Sequence, residues 1–441
     1  MSLSAFSLVQ AAAYIRDGRI TSKELVSDCL DRIAQLDAGI QAWAFLDRDH
    51  ALRQAQAADD MRGQHTGPLH GVPVGIKDIF DTSDMPTEFG SPLWAGRTPR
   101  KDAAAVARLR AAGAVIMGKT VTTEYAYFSP GKTRNPHDPE RTPGGSSSGS
   151  AAAVAAFMVP GAIGSQTNGS VIRPAAFCGV VGFKPTHGLI SRDGALLLSK
   201  TLDTVGVFAR SVEDAALLAE IMAGFDEKDP DTRLMAAPNF AEVAGAEPPL
   251  PPRFGFVRTP AWDQADPVTR DAFAELIDTL GEQAIEVDLD PTLANVVDMH
   301  RLVMETEMAH NLRRDYERGG DQLSAVLRKL IERGLDHKAV DYLRAVQGIR
   351  AIYSAINPVF DHFDAIITPA APGEAPRDLT STGNPVFCTT WTYLGMPAVT
   401  LPLLWSESGL PLGIQLVGLR GNDARLLRTA AWLTKNVAQS E

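Results

Sequence analysis

Two short segments of the chain concentrate serine and glycine. They are Gly144-Gly145-Ser146-Ser147-Ser148-Gly149-Ser150 and Gly164-Ser165-Gln166-Thr167-Asn168-Gly169-Ser170. A lysine, Lys77, ends the apolar stretch Val72-Pro73-Val74-Gly75-Ile76. Serine/glycine runs are usually flexible linkers. These two are flanked by the apolar segments Ala151–Val159 and Phe177–Phe183, which is not where a linker sits. Small residues beside a core let backbones approach closely. N–H groups freed in such turns form an anion nest, which is what the tetrahedral oxyanion of acyl transfer requires.

Other patterns compete for the same residues. Gly113-Ala-Val-Ile-Met-Gly118-Lys119-Thr120 fits the phosphate loop GxxxxGK[ST], which needs a strand before its first glycine. Here a helical pattern precedes Gly113 and strand-like residues follow it, so the expected order is helix, turn, strand. A P-loop-like nucleotide-binding protein using Gly113–Thr120 stands as the alternative from a different class. Gly145-Ser-Ser-Ser-Gly149 fits the GxSxG elbow, but that elbow needs a preceding strand. The stretch Asn135–Pro143, with three prolines, cannot be a central strand. Ser129-Pro-Gly-Lys132 fits SxxK without its companion elements. The nine histidines are scattered and form no HExxH, so no metal site is predicted.

The elements that must hold these residues alternate in type. Thr21 and Glu24 form a capping box ahead of the periodic run Leu25, Cys29, Ile33, Leu36. Residues 41–62 read as a further Ala-rich helix. His70–Asp78 reads as a buried strand running into a loop. Residues 102–112 read as a helix closed by Gly113, and Ala114–Met117 as a buried strand. Residues 129–150 form a long loop, followed by a helix at roughly 149–157. Gly161–Ser170 reads as a small-residue stretch and Phe177–Phe183 as an apolar strand. Residues 226–252 read as a surface excursion and 294–357 as a mostly helical segment. Phe363–Pro369 and Leu412–Val417 are further strands. Helix followed by short apolar strand is the grammar of an α/β fold.

Composition sets the class. The 441 residues include 45% hydrophobic and 22% charged, ordinary for a globular protein. The net charge of −11 disfavours nucleic acid and anionic membrane as partners. Cys29, Cys178 and Cys388 form no CxxC. The N-terminal residues lack a basic region followed by an apolar one, and no run is long enough to span a membrane. A soluble cytoplasmic enzyme is the expectation.

Lys77 in VGIKD, the stretch GGSSSGSAAAVAA and the run GSQTNGSVIRPAAFCGVVGFKPT resemble the amidase signature family of serine hydrolases. Leu202–Gly206, Ala209–Asp214, Gly395–Ala398 and Gly409–Gln415 are similar to further family segments, so the resemblance runs from about Thr21 to Leu433. It implies an α/β fold: a single large α/β/α domain, 1–441, around a twisted mixed central sheet. Its catalytic core is expected at about 65–220 plus 360–435, with the 294–357 helices near the site mouth. By matched position the resemblance implies a Ser-Ser-Lys triad. Ser170 is then the nucleophile, Ser146 the bridging serine after a cis peptide bond, and Lys77 the base. The backbone N–H groups of Thr167, Asn168, Gly169 and Ser170 form the oxyanion hole. The chemistry is intelligible: a serine hydroxyl needs a neighbouring base, and lysine serves only when neutral.

Three departures stand out. Gln166-Thr-Asn-Gly-Ser170 replaces the common Asp-Thr-Gly-Gly-Ser. Arg173 falls one residue later than the family's arginine and is given no catalytic role. The loop Glu124–Asn135 is shorter than in the glutaminase component of the tRNA-dependent amidotransferase, which weakens the alternative within the family, a glutaminase-type subunit of an amidotransferase that passes ammonia to a partner active site. Tyr125, Tyr127, Phe128, Gly145, Trp391 and Tyr393 are candidate pocket residues. No cluster of cationic side chains is evident, which favours a neutral substrate. The expected activity is acyl-enzyme hydrolysis of a small linear amide, or of a urea or carbamate (urethane). No cofactor is expected, and the chain is expected to be a monomer or homodimer.

Overall fold

The computed structural model describes residues 2–64 and 66–437. Its centre is an 11-stranded mixed sheet. The strands are β1 (Trp43–Leu46), β2 (Pro73–Lys77), β3 (Val115–Thr120), β4 (Gly161–Gln166), β5 (Val181–Lys184), β6 (Thr204–Ala209), β7 (Phe254–Phe256), β8 (Ala284–Glu286), β9 (Ala365–Pro369), β10 (Ala398–Trp405) and β11 (Pro411–Val417). Their spatial order is β1-β3-β2-β4-β6-β5-β10-β11-β9-β7-β8. β2 runs parallel to β3 and β4, and β7 parallel to β8 and β9. The remaining pairs are antiparallel. Helices surround the sheet, and the core strands are buried on both faces, which explains their continuous apolar runs.

The capping box forms as expected: Thr21 Oγ1 accepts from the Glu24 N–H and Glu24 Oε2 accepts from the Thr21 N–H. The helix Ser22–Ile40 follows and buries Leu25, Cys29 and Ile33. Gly113, at φ +87°, closes the helix Ala104–Ala111, and β3 begins two residues on. This geometry overturns the phosphate-loop alternative. The residues between Gly113 and Thr120 are a sheet strand, and Lys119 is buried 3.1 Å from Asp78.

Two expectations need correction. Residues 41–62 are not one helix: Gln41 turns left-handed at φ 56°, and Trp43–Leu46 pairs with β3 before the helix Arg48–Asp60 begins. Phe177 and Cys178 end the helix Ile172–Cys178, and only Val181–Lys184 is strand. That helix is buried on every side, so it carries no polar face to betray its period. The small-residue stretch after Gly161 is β4, in the middle of the sheet. A Cβ on Gly164 would stand 2.6 Å from Ser147 Oγ, so glycine here permits close packing.

Residues 226–252 carry one short helix, Phe240–Gly245, and otherwise run irregularly. The segment 294–357 is helical, as expected. Its helix Val296–Asn311 packs against Ala325–Asp336, Ala339–Ile356 and the helix Val386–Tyr393.

Candidate active site

Lys77 ends β2, fully buried, and its Nζ reaches two serines. It donates to Ser146 Oγ at 2.7 Å and to Ser165 Oγ at 2.9 Å. Ser146 follows the cis Gly145–Ser146 peptide. Ser165 lies on β4, next to β2, so sheet pairing delivers it to the lysine. Burial lowers the Lys77 ammonium from 10.5 to about 7, opposed by the charge of Asp203. Near neutral pH a large share of the amine is therefore unprotonated. Its lone pair then accepts the Ser146 hydroxyl proton, reversing that hydrogen bond.

Ser146, Thr167, Asn168, Gly169 and Ser170 line one pocket of about 320 Å³, its open mouth included. The N–H groups of Val171 and Ile172 are taken by Gln166 Oε1 at 2.8 and 3.0 Å. Among the described residues, the N–H groups of 167–170 have no acceptor. Four N–H groups without an acceptor therefore belong to residues that line the pocket.

The departures in this loop are absorbed by the helix Val386–Tyr393. Gln166 Nε2 donates to Thr392 Oγ1 at 2.8 Å. Thr392 Oγ1 donates to the Asn168 carbonyl at 2.5 Å, and Thr389 Oγ1 to Asn168 Oδ1 at 2.8 Å. Thr167 is pinned from two other directions. Its hydroxyl donates to Asp203 Oδ1 at 2.6 Å, and its carbonyl accepts from His300 Nε2 at 2.9 Å. A carbonyl only accepts, so Nε2 carries the proton. Burial raises the Asp203 carboxyl to about 6 and lowers His300 to about 4. At pH 7 the first is mostly charged and the second neutral.

Other expected pocket residues divide. Tyr127 and Phe128 line the pocket. The Gly145 carbonyl accepts from Arg173 Nη2. Tyr125 is buried elsewhere, its hydroxyl donating to Asp315 Oδ2 at 2.9 Å. Trp391 is a core residue, and Tyr393 faces a different cavity while its hydroxyl donates to the Ala345 carbonyl. Ser165, Leu198, Met304, Met308 and Thr382 were missed, and Arg173, weighed and given no catalytic role, also lines the pocket. The spacing of His300, Met304 and Met308 was the available signal for one of the walls: four residues apart, they share one helix face.

The amidase family model matches residues 24–427. The chain belongs to the amidase signature family. It is 35% identical to the A-type subunit of glutamyl-tRNA(Gln) amidotransferase from Thermobifida fusca (strain YX), over 97% of this chain and 95% of that one. With its counterpart from Salinispora arenicola (strain CNS-205) it shares 34%, over 99% and 98%. Among solved structures, the peptide amidase of Stenotrophomonas maltophilia superposes with a TM-score of 0.86 at 29% identity, covering 98% and 97% of the two chains. A chain from a vestigial protein complex, described as revealing the origins of an s-triazine catabolic enzyme, superposes with a TM-score of 0.90 at 30% identity over 98% of each. This amidase signature chain is thus a hydrolase of C–N bonds on a mixed α/β fold. Among its described residues no helix is long and apolar enough to cross a membrane.

Proposed function

We propose that this amidase hydrolyses a small linear amide through an acyl-enzyme on Ser170. The observation that carries the reading is the buried Lys77–Ser146 contact, 2.7 Å long, behind a pocket that Ser146 and Ser170 share. Ser170 Oγ attacks the carbonyl carbon. Its proton passes to Ser146, whose own proton passes to neutral Lys77. The tetrahedral oxyanion is held by the free N–H groups of residues 167–170. The C–N bond then breaks, and the leaving amine takes the proton back along the same relay. Water hydrolyses the acyl-enzyme with the roles of relay and base repeated. Ureas and carbamates present the same carbonyl and suit the same steps.

The curated relatives favour a second reading, the glutaminase-type component of an amidotransferase, which passes ammonia to a partner. A hydrolysis panel of primary amide, aryl amide, aryl urea and aryl carbamate decides. The isolated chain is expected to turn over at least one class, and Ser170→Ala to lose about 10³-fold or more in kcat. Residual activity near wild type in Ser170→Ala rules out this nucleophile. Glutamine turnover appearing only with a partner protein establishes the second reading.

A further inference from the structure

Arg173 is a buried cation without a counter-ion among the described residues. It stands in the first turn of the helix Ile172–Cys178 and lines the same pocket as Ser170. It is 2% exposed. Nη2 donates to the Gly145 carbonyl at 2.8 Å and to Thr382 Oγ1 at 3.0 Å. Nε and Nη1 are buried with no hydrogen-bond acceptor among the described residues. Among the described residues its ionisable neighbour is Cys388, whose thiol burial pushes up to about 12 and so keeps neutral. The Phe128 ring covers the guanidinium, its centroid 5.7 Å from Cζ. Burying a charge without an anion is expensive, and guanidinium is the group best shaped to take a carboxylate.

We propose that Arg173 anchors a carboxylate carried by the acyl part of the substrate, so that the pocket selects short half-amides of dicarboxylic acids over neutral amides. This rests on Ser170 being the nucleophile. Arg173 holds the carbonyl of the residue just before Ser146, so its charge sits beside the relay. In a pocket of this size, anchor and scissile carbonyl must be joined by a short chain. Leu198, Met304 and Met308 supply apolar walls for its methylenes. The neutral-substrate expectation from sequence is thereby reversed: no cluster of cations is needed where a single arginine is buried and unopposed.

The test compares half-amides of two- to six-carbon dicarboxylic acids with the same amides capped as methyl esters. Wild type is expected to favour one or two of the charged lengths by about a hundredfold in kcat/KM, chiefly through KM. Arg173→Met should abolish that preference and Arg173→Lys retain part of it. A second arm needs no turnover and no variant. The saturated dicarboxylate of the preferred length, or of each length in turn if none is turned over, should raise the wild-type Tm, and the matching diamide should not. Equal kcat/KM for charged and capped amides, or no dicarboxylate shift, overturns the anchor. A dicarboxylate shift in a chain that hydrolyses no amide keeps the anchor and rejects the hydrolase reading alone.

Discussion

Lys77 shows what burial does for a single residue. Moving its ammonium from 10.5 to about 7 makes a base usable at neutral pH. The protonated amine cannot accept the Ser146 proton, so kcat/KM is expected to rise with pH through about 7 and level off above. A flat profile across that range would exclude Lys77 as the base. The same shift carries a stability cost. Between about pH 7 and 10.5 the unfolded chain holds a proton that the folded one has released, so this group makes stability rise with pH across that window. Lys77→Met should therefore abolish turnover yet raise Tm at pH 7, with the gain shrinking towards pH 10.5. A lower Tm at pH 7 would mean that the contacts to Ser146 and Ser165 outweigh the burial of the charge.

At the scale of elements, the pocket is assembled by parts distant in sequence. β2 brings the lysine, β4 the second serine it touches, and the turn before the helix Ile172–Cys178 the free N–H groups. The helix Val296–Asn311 contributes more than a wall. Its His300 fixes the carbonyl of Thr167, whose N–H opens the candidate oxyanion loop. His300 is thus a positioning residue. His300→Ala is expected to lower kcat about tenfold while KM moves less than about twofold. His300→Gln, which can still donate, should recover most of the loss. Unchanged kcat in both variants would reduce the histidine to a packing residue.

For the whole molecule, the sheet is continuous from β1 to β8, and one hydrophobic cluster runs from Leu8 to Leu433. The helices of 294–357 join that cluster through Val303, Met304, Met308, Leu327 and Leu330. We propose that the chain folds as a single unit. Thermal unfolding followed by far-UV circular dichroism and by tryptophan fluorescence should then give coincident transitions. An earlier, separate loss of helix would show that 294–357 unfolds independently.

Local chemistry was legible in the chain itself. The capping box at Thr21, the left-handed glycine at 113 and the strand ending in Lys77 follow from short-range rules that tertiary context did not disturb. The serine/glycine runs pointed to an acyl-transfer site because their order and spacing with Lys77 match a family. Three things were not legible, for physical reasons. Trp43–Leu46 became an edge strand because pairing with β3 outweighed the helical propensity around it. The helix Ile172–Cys178 is buried on all sides and so shows no periodicity. Arg173, one arginine among many in the sequence, owes its meaning to where the fold leaves it: away from water, away from any described carboxylate, and beside the serines. Sequence determines which groups are present. Only packing decides which of them lose their solvent, and that loss is what tunes Lys77 and leaves Arg173 without a counter-ion.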